Sequence, residues 1–259
     1  MFQFNEAQLM AWVGSFAWPF VRITGMFLAA PIFGAGMIPV RVRIVLALLL
    51  ALFVAPLLPE TPAIQPFSLE GLAVTVQQIL IGVSMGFILQ MVMSALTMAG
   101  ESIALSMGLG YASMVDPGMG VQVPVVSQIF VIMGTLLFLS MNGHLFMLDM
   151  LVQSFTLLPV AVDGLTRVDF WTVVQFGSTM YVGAVLVGLP VVAGMLMVNL
   201  SMGVITRASP QLNIFAVGFP MMILLGFLLI LFSLPALAPQ VENLVLAAFE
   251  SIQQILGAT

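Results

Sequence analysis

The sequence predicts an all-α integral membrane protein built of kinked helical hairpins, and three observations carry that expectation. Charge is scarce: 259 residues hold five arginines, no lysine and ten acids, so 6% are charged, where soluble domains are about a quarter charged. Apolar side chains make up 62% of the chain and mean hydropathy is +1.23, more than one globular core can hide from water. The apolar residues also run in stretches, several of them long enough for the roughly 20-residue helix that crosses about 30 Å of hydrocarbon.

Those stretches lie at about 9–34, 44–58, 71–99, 125–162, 173–205 and 213–238. The first carries Trp18-Pro19 and Arg22. The second is short for a crossing, and Leu58-Pro59-Glu60-Thr61-Pro62 closes it as a turn. Ser68 suits the N-cap of the third, with Glu70 in its first turn. Within that stretch Gly82 and Gly86 form a small-xxx-small pair, a spacing that lets helices approach closely. The fourth is long enough for a bent helix or a tight helical hairpin around Asn142-Gly143-His144. Asp163-Gly164 is a turn and Asp169 suits the N-cap of the fifth. Ser209-Pro210 reads as a cap and first helical residue of the sixth.

Pro19, Pro31, Pro190 and Pro220 fall inside apolar stretches. Each removes a backbone donor and crowds the preceding turn, so kinked or broken helices are expected. Lipid does not tolerate unsatisfied backbone, which favours an assembled bundle in which the breaks face protein or water. After Pro239, Val241, Leu244, Val245, Ala248, Phe249, Ile252, Ile255 and Leu256 recur at helical spacing opposite Glu242, Asn243, Glu250, Gln253 and Gln254. That pattern predicts an amphipathic tail lying on a membrane surface or against partner helices.

The whole chain, 1–259, reads as one membrane unit without a separate soluble domain, internal repeat or low-complexity tract. With no cysteine, disulfides, thiolate metal sites and thiol catalysis are excluded. The five arginines are scattered and form no nucleic-acid patch. The opening residues lack the basic start and small-residue cleavage site of a signal peptide, so the first apolar segment is expected to remain as an anchor. Arg41 and Arg43 mark one candidate cytoplasmic loop and Arg207 another.

Residues 101–124 differ from their surroundings. The segment is glycine-rich and semi-polar, with Gly108, Gly110, Gly118 and Gly120 beside Ser102, Ser106 and Ser113, and Asp116-Pro117-Gly118 suits a type II turn. Structureless connections beyond about 12–15 residues tend to be functional or disordered. Met85, Met91, Met93, Met98, Met107, Met114 and Met119 run into and through the segment. Methionine is flexible and polarizable, so the run suits either gap-filling in a kinked bundle or a seal that deforms and closes again.

The isolated polar residues need partners. A basic group at mid-bilayer costs at least about 3 kcal/mol on insertion scales, and Glu101, which closes the third stretch, is the nearest unmatched acid, giving a structural ion pair or a step in an ion path. His144 and Asp149 are five positions apart and so face different sides of a helix. There is no Gly-x-Ser-x-Gly elbow and no His-Glu-x-x-His zinc helix, and one histidine without cysteine does not build a zinc site. No catalytic residue, metal site or cofactor is expected.

Three stretches together resemble the FliR family, the R subunit of the flagellar type III export gate, called SctT in virulence injectisomes. They are Arg22-x-x-Gly25 running on to Pro31-Ile-Phe-Gly34 and Pro39-Val-Arg41, the Gly-Leu-Gly-Tyr-Ala segment from Gly108 to Asp116-Pro117, and Arg207-Ala-Ser-Pro-Gln-Leu-Asn-Ile-Phe-Ala-Val-Gly-Phe-Pro220. The last is long, irregular and the most specific. The resemblance implies a non-enzymatic bacterial protein of the inner membrane and flagellar basal body. It joins P and Q subunits in a helical, pore-forming export gate, alongside the B subunit and the large export-gate subunit, and unfolded flagellar substrates pass through. It further implies a P-like part over about 1–172 and a Q-like hairpin with the amphipathic tail over 173–259. The glycine-rich segment, about 107–122, becomes a pore plug with Met107, Gly108, Gly110, Met114, Asp116, Pro117, Gly118, Met119 and Gly120. Arg22, Glu101 and Arg207 are then expected as buried or assembly charges.

Two other classes compete. An ion- or solute-coupled secondary transporter would build its site from broken helices at mid-membrane and show an inverted repeat, which the sequence lacks. An intramembrane enzyme would use His144 with Asp149 or Glu101.

Overall fold

The computed structural model describes residues 6–34, 38–58, 64–65, 68–109, 125–208 and 214–257. Among them all regular structure is helical: α1 (Glu6–Ala29), α2 (Val40–Val54) with a 3-10 turn at Ala55–Leu57, α3 (Leu69–Ser106), α4 (Val125–Ser140), α5 (Gly143–Leu157), α6 (Arg167–Ala208) and α7 (Ile214–Ile255). The all-α membrane fold is therefore as expected. Val40–Leu57, Leu69–Ser106, Arg167–Ala208 and Gly218–Ile255 are each long and apolar enough to cross a membrane, and α4 with α5 adds a fifth if that broken pair is one span.

Local chemistry explains the helix ends. The Ser68 hydroxyl accepts the Gly71 N–H at 3.0 Å, the expected cap of α3. At α6 the expectation is corrected. Asp169 sits inside the first turn, and its carboxylate reaches back to accept both the backbone N–H and the hydroxyl of Thr166 at 2.7 Å, so Thr166 is the residue capped. α1 stops at Ala29, ahead of Pro31, and Ile32 takes φ 70°. The turn folds back far enough for Phe33 to stack on Phe27, centroids 4.5 Å apart. The fourth apolar stretch breaks at Asn142, whose φ of 57° and ψ of 24° are left-handed; asparagine tolerates that conformation better than most residues.

The proline-bearing helices are more continuous than expected. α1 runs through Pro19, α6 through Pro190, and α7 through Pro220, Pro235 and Pro239. The tail is thus the last turns of α7 rather than a separate helix. Arg41 and Arg43 lie in the first turns of α2, not in a loop, with an Arg43 Nη2–H on the Ile38 carbonyl at 3.3 Å. Residues 101–106, expected in the loop, are the last turns of α3. The expected turn at 59–62 and the Ser209-Pro210 cap lie outside the described residues.

The chain packs as two compact units. The first comprises Met1–Met91, Met141–Gly177 and Val245–Thr259. Its apolar centre is Trp18, Val54, Val74, Phe155 and Val160, with Leu58, Ile64 and Val152 packed against it. In this unit α1 and α3 meet with almost no side chain between them. A Cβ added at Gly86 would stand 2.6 Å from the Met26 carbonyl oxygen, and one at Gly82 would overlap the Arg22 carbonyl oxygen. The small-xxx-small pair is thus a backbone-to-backbone crossing. Val245, Ala248, Ile252, Ile255 and Leu256 are buried in this unit, and Phe249 lies against Phe146 with centroids 5.9 Å apart. That corrects the tail's expected role: this part of its apolar face is covered by its own chain.

The second unit comprises Val92–Ser140 and Ser178–Leu244. It is assembled by long side chains seated in glycine notches. Leu96 fills the space at Gly134, Leu244 that at Gly183, and Leu229 that at Gly194.

In the most apolar window of α3, 67% is buried, against 17% in those of α2 and α7. α3 is therefore the scaffold, while α2 and α7 turn residues such as Phe53 and Phe232, each 73% exposed, toward lipid or other chains.

The glycines separate into two behaviours that thermal melting of the purified chain in mild detergent will read. Gly82→Val forces a side chain onto the α1 backbone. Overpacking typically costs 1–3 kcal/mol, so melting is expected to fall by several degrees. Gly177 has open space where its Cβ would be, so Gly177→Ala is expected to leave melting unchanged or raise it, as alanine is the better helix former.

Candidate functional site: a buried arginine and the roots of the glycine-rich loop

Arg22 on α1 is fully buried, with 0% of its surface exposed. Its Nε–H donates to Gln78 Oε1 on α3 at 2.7 Å. Nη1 donates to the Ser154 carbonyl at 2.8 Å and to the Ser154 hydroxyl oxygen at 3.0 Å, and Nη2 to the Leu158 carbonyl at 2.9 Å. The guanidinium carbon lies 4.2 Å from the centroid of the Phe155 ring. Ser154 donates its own hydroxyl proton to the Leu151 carbonyl at 2.7 Å.

These partners explain how a lone cation is buried. The Ser154 and Leu158 carbonyls lie at the C-terminal end of α5, where the helix dipole is negative; the Ser154 carbonyl already accepts the Leu158 N–H at 2.9 Å, so Arg22 takes its second lone pair. Arg22 caps α5 from another helix, and the Phe155 ring adds a cation–π contact worth up to about 2 kcal/mol when desolvated. The ion pair with Glu101 considered for Arg22 is not what the geometry contains. These partners of Arg22 are all neutral and lie in the first unit, whereas Glu101 is half-buried in the second. Arg207 is exposed in the last turn of α6, where a cation complements the helix dipole.

His144 and Asp149 share no bond. His144 Nδ1 is buried without a partner, and the exposed Asp149 carboxylate accepts the Gln153 amide at 2.8 Å. Among the described residues no group of three or more His, Asp or Glu is arranged to hold a metal.

Of the expected plug residues, Met107 and Gly108 are described, whereas Gly110, Met114, Asp116, Pro117, Gly118, Met119 and Gly120 lie outside the described residues. Met107 and Gly108 end α3. Gly108 takes φ 82°, its N–H bonds the Leu105 carbonyl and the Leu109 N–H bonds the Ala104 carbonyl, each at 3.0 Å. This is a Schellman termination, in which a left-handed glycine satisfies carbonyls that the helix end leaves open.

The same end is held from two other helices. Asn199 Nδ2 on α6 donates to the Ser106 carbonyl at 3.2 Å. The buried Met107 side chain occupies the notch at Gly226 on α7, where an added Cβ would stand 2.6 Å from Met107 Cε. Where the chain re-enters described structure, Ser127 in the first turn of α4 is fully buried, and its backbone lies on Gly100 of α3, 2.5 Å from where a Cβ would be. The described residues on both sides of the glycine-rich segment, Ser106–Gly108 and Ser127, therefore belong to or lie against the last turns of α3. Gln78, Ser154, Asn199 and Gly226 were not singled out from the sequence. Gln78 and Asn199 carried a signal, as amides in apolar stretches that must find partners.

Fold and site together define an all-α membrane protein whose described polar groups cap helices and tie helix ends to one another. The sequence profile of bacterial export proteins, family 1, matches residues 13–248. The flagellar biosynthetic protein FliR of Pectobacterium carotovorum subsp. carotovorum is 38% identical over 258 residues, covering 99% of this chain and 98% of that protein. The FliR of Escherichia coli strain K12 is 35% identical over 257 residues, with the same coverage of 99% and 98%. That of Bacillus subtilis strain 168 is 29% identical over 244 residues, covering 92% and 93%. The chain belongs to this family of bacterial export proteins, as a member of the FliR type. Its class is export component, not enzyme.

If Met107 in the Gly226 notch fastens the loop root, Gly226→Leu will displace it and lower thermal stability by an amount typical of overpacking, about 1–3 kcal/mol. Met107→Ala in the Gly226→Leu background is expected to recover part of that loss. Additive losses, with no recovery, would show that the contact does not fasten the root.

Proposed function

We propose that this chain is the structural, pore-forming R subunit of the flagellar type III export gate in the bacterial inner membrane, within the basal body. It assembles with P and Q subunits, alongside the B subunit and the large export-gate subunit, and unfolded flagellar substrates pass through the assembly. Its first part, about 1–172, is P-like, and 173–259 is the Q-like hairpin with its tail. The segment 107–122 closes the pore when no substrate is in transit.

The observation that carries the closure is the fastening of the loop at both ends. A plug must return to one place after each passage, so its stems must be fixed while its tip yields. The stems meet that condition through the Gly108 termination, the Met107 notch and the Gly100–Ser127 approach. Between them the sequence supplies Gly110, Gly118 and Gly120 with Met114 and Met119, side chains able to seal against different surfaces. Full-length kinship with FliR proteins supports the flagellar assignment. The exposed apolar faces of α2, α6 and α7 suit burial by lipid and neighbouring subunits. A secondary transporter is less well supported, as no inverted repeat accompanies the helix breaks.

Affinity purification in mild detergent followed by partner identification tests the assembly, with P and Q subunits expected and a lone homodimer contradicting it. Deletion of residues 112–121 is expected to preserve P and Q association while making resting cells leak small ions or dyes. An assembled, loop-shortened gate that leaks no more than the intact one would remove the plug.

A further inference from the structure

The second unit contains a cavity of about 70 Å³ lined from α4 by Phe130, from α6 by Leu186 and Pro190, and from α7 by Ser233, Leu237 and Gln240 among others. Proline at 190 has no N–H, so the Leu186 carbonyl, four residues back along α6, lacks its usual helical donor. A backbone carbonyl left without a donor away from bulk water is costly, and membrane helices satisfy such groups with side chains or ordered water. Leu186 and Pro190, both exposed on α6, border this cavity, so the residue whose carbonyl is freed and the residue that frees it meet the same open space.

The opposite wall carries spare polar capacity. Gln240 brings a side-chain amide with two donors and an acceptor, and no hydrogen bond of that amide occurs among the described residues. Ser233 is already committed, its hydroxyl donating to the Ile230 carbonyl at 2.8 Å. The volume admits two waters at about 30 Å³ each, and a buried water needs two to four polar partners.

We propose that this cavity is a specific water site, in which one or two bound waters bridge the proline-freed Leu186 carbonyl on α6 to the Gln240 amide on α7. Water thereby supplies the donor that Pro190 removes and joins two helices otherwise packed through apolar contacts. This role is independent of the plug, because every lining residue lies outside 107–122.

A double-mutant cycle on the full chain within its purified complex tests the bridge through thermal melting. Gln240→Leu strips the water of its α7 partner and is expected to lower melting on the order of 2–4 °C. Pro190→Ala restores the backbone donor to Leu186. In that background Gln240→Leu is expected to cost less than half as much, because the carbonyl no longer needs the water. Equal shifts in both backgrounds, or no shift from Gln240→Leu in the native background, would overturn the proposal. A high-resolution map of the complex provides the second measurement. Water density within about 2.7–3.2 Å of the Leu186 oxygen and the Gln240 amide supports the site. A neighbouring subunit's side chain in the cavity, or no density where other buried waters are resolved, contradicts it.

Discussion

A guanidinium group with no exposed surface must find acceptors for its donors, and Arg22 finds them on two other helices at once. Gln78 binds it from α3, while the Ser154 and Leu158 carbonyls bind it at the C-terminal end of α5. Much else in the first unit is needed for that arrangement. α1 reaches Gln78 because Gly82 and Gly86 let its backbone lie directly on α3. α5 presents its carbonyl end because the chain breaks at Asn142 and restarts there as a new helix. Phe155 lies over the guanidinium and belongs, with Trp18, to the apolar cluster of this unit. Breaking a buried charge network by removing one partner commonly costs 3–5 kcal/mol, a large share of a typical domain's stability.

The second unit is held differently, by Leu and Met side chains in glycine notches and by one amide, Asn199, on a helix end. Such contacts are short-ranged and shape-dependent, so they resist sliding without requiring charge. A chain with 15 formal charges in 259 residues has few other means of fixing helix positions away from water. Under the proposed function the two strategies divide the work: a charged anchor sets the scaffold of the first unit, and apolar notches set the stems of the loop in the second.

The helical class, the apolar stretches that become helices and the break at Asn142 were legible because hydropathy and punctuation are local properties. So was the Ser68 cap, and the FliR kinship was carried by motifs spread over the whole chain. Helix lengths were less legible. Glu101, Arg41 and Asp169 are polar yet lie inside helices, since a helix end satisfied by Gly108, Pro39 or Thr166 extends past the apolar stretch that announces it. Pro235 and Pro239 likewise fail to end α7, which runs through both. The partners of Arg22 were hidden because the text suggested an opposite charge, whereas two are backbone carbonyls. Every residue has a carbonyl, so sequence cannot single those out. The Met107–Gly226 contact was hidden for a related reason: a notch exists only once two helices have been placed side by side.

Arg22 acts through the geometry of its fork on neutral acceptors, not as a charge facing an acid. Replacing it with lysine keeps the charge and discards the fork, so comparing Arg22→Lys with Arg22→Met in thermal melting of the purified chain separates the two. Arg22→Lys is expected to lose nearly as much stability as Arg22→Met, because an ammonium on a shorter stem cannot reach Gln78, Ser154 and Leu158 together. Native melting in Arg22→Lys, with loss confined to Arg22→Met, would contradict this and place an anion where the structure has carbonyls.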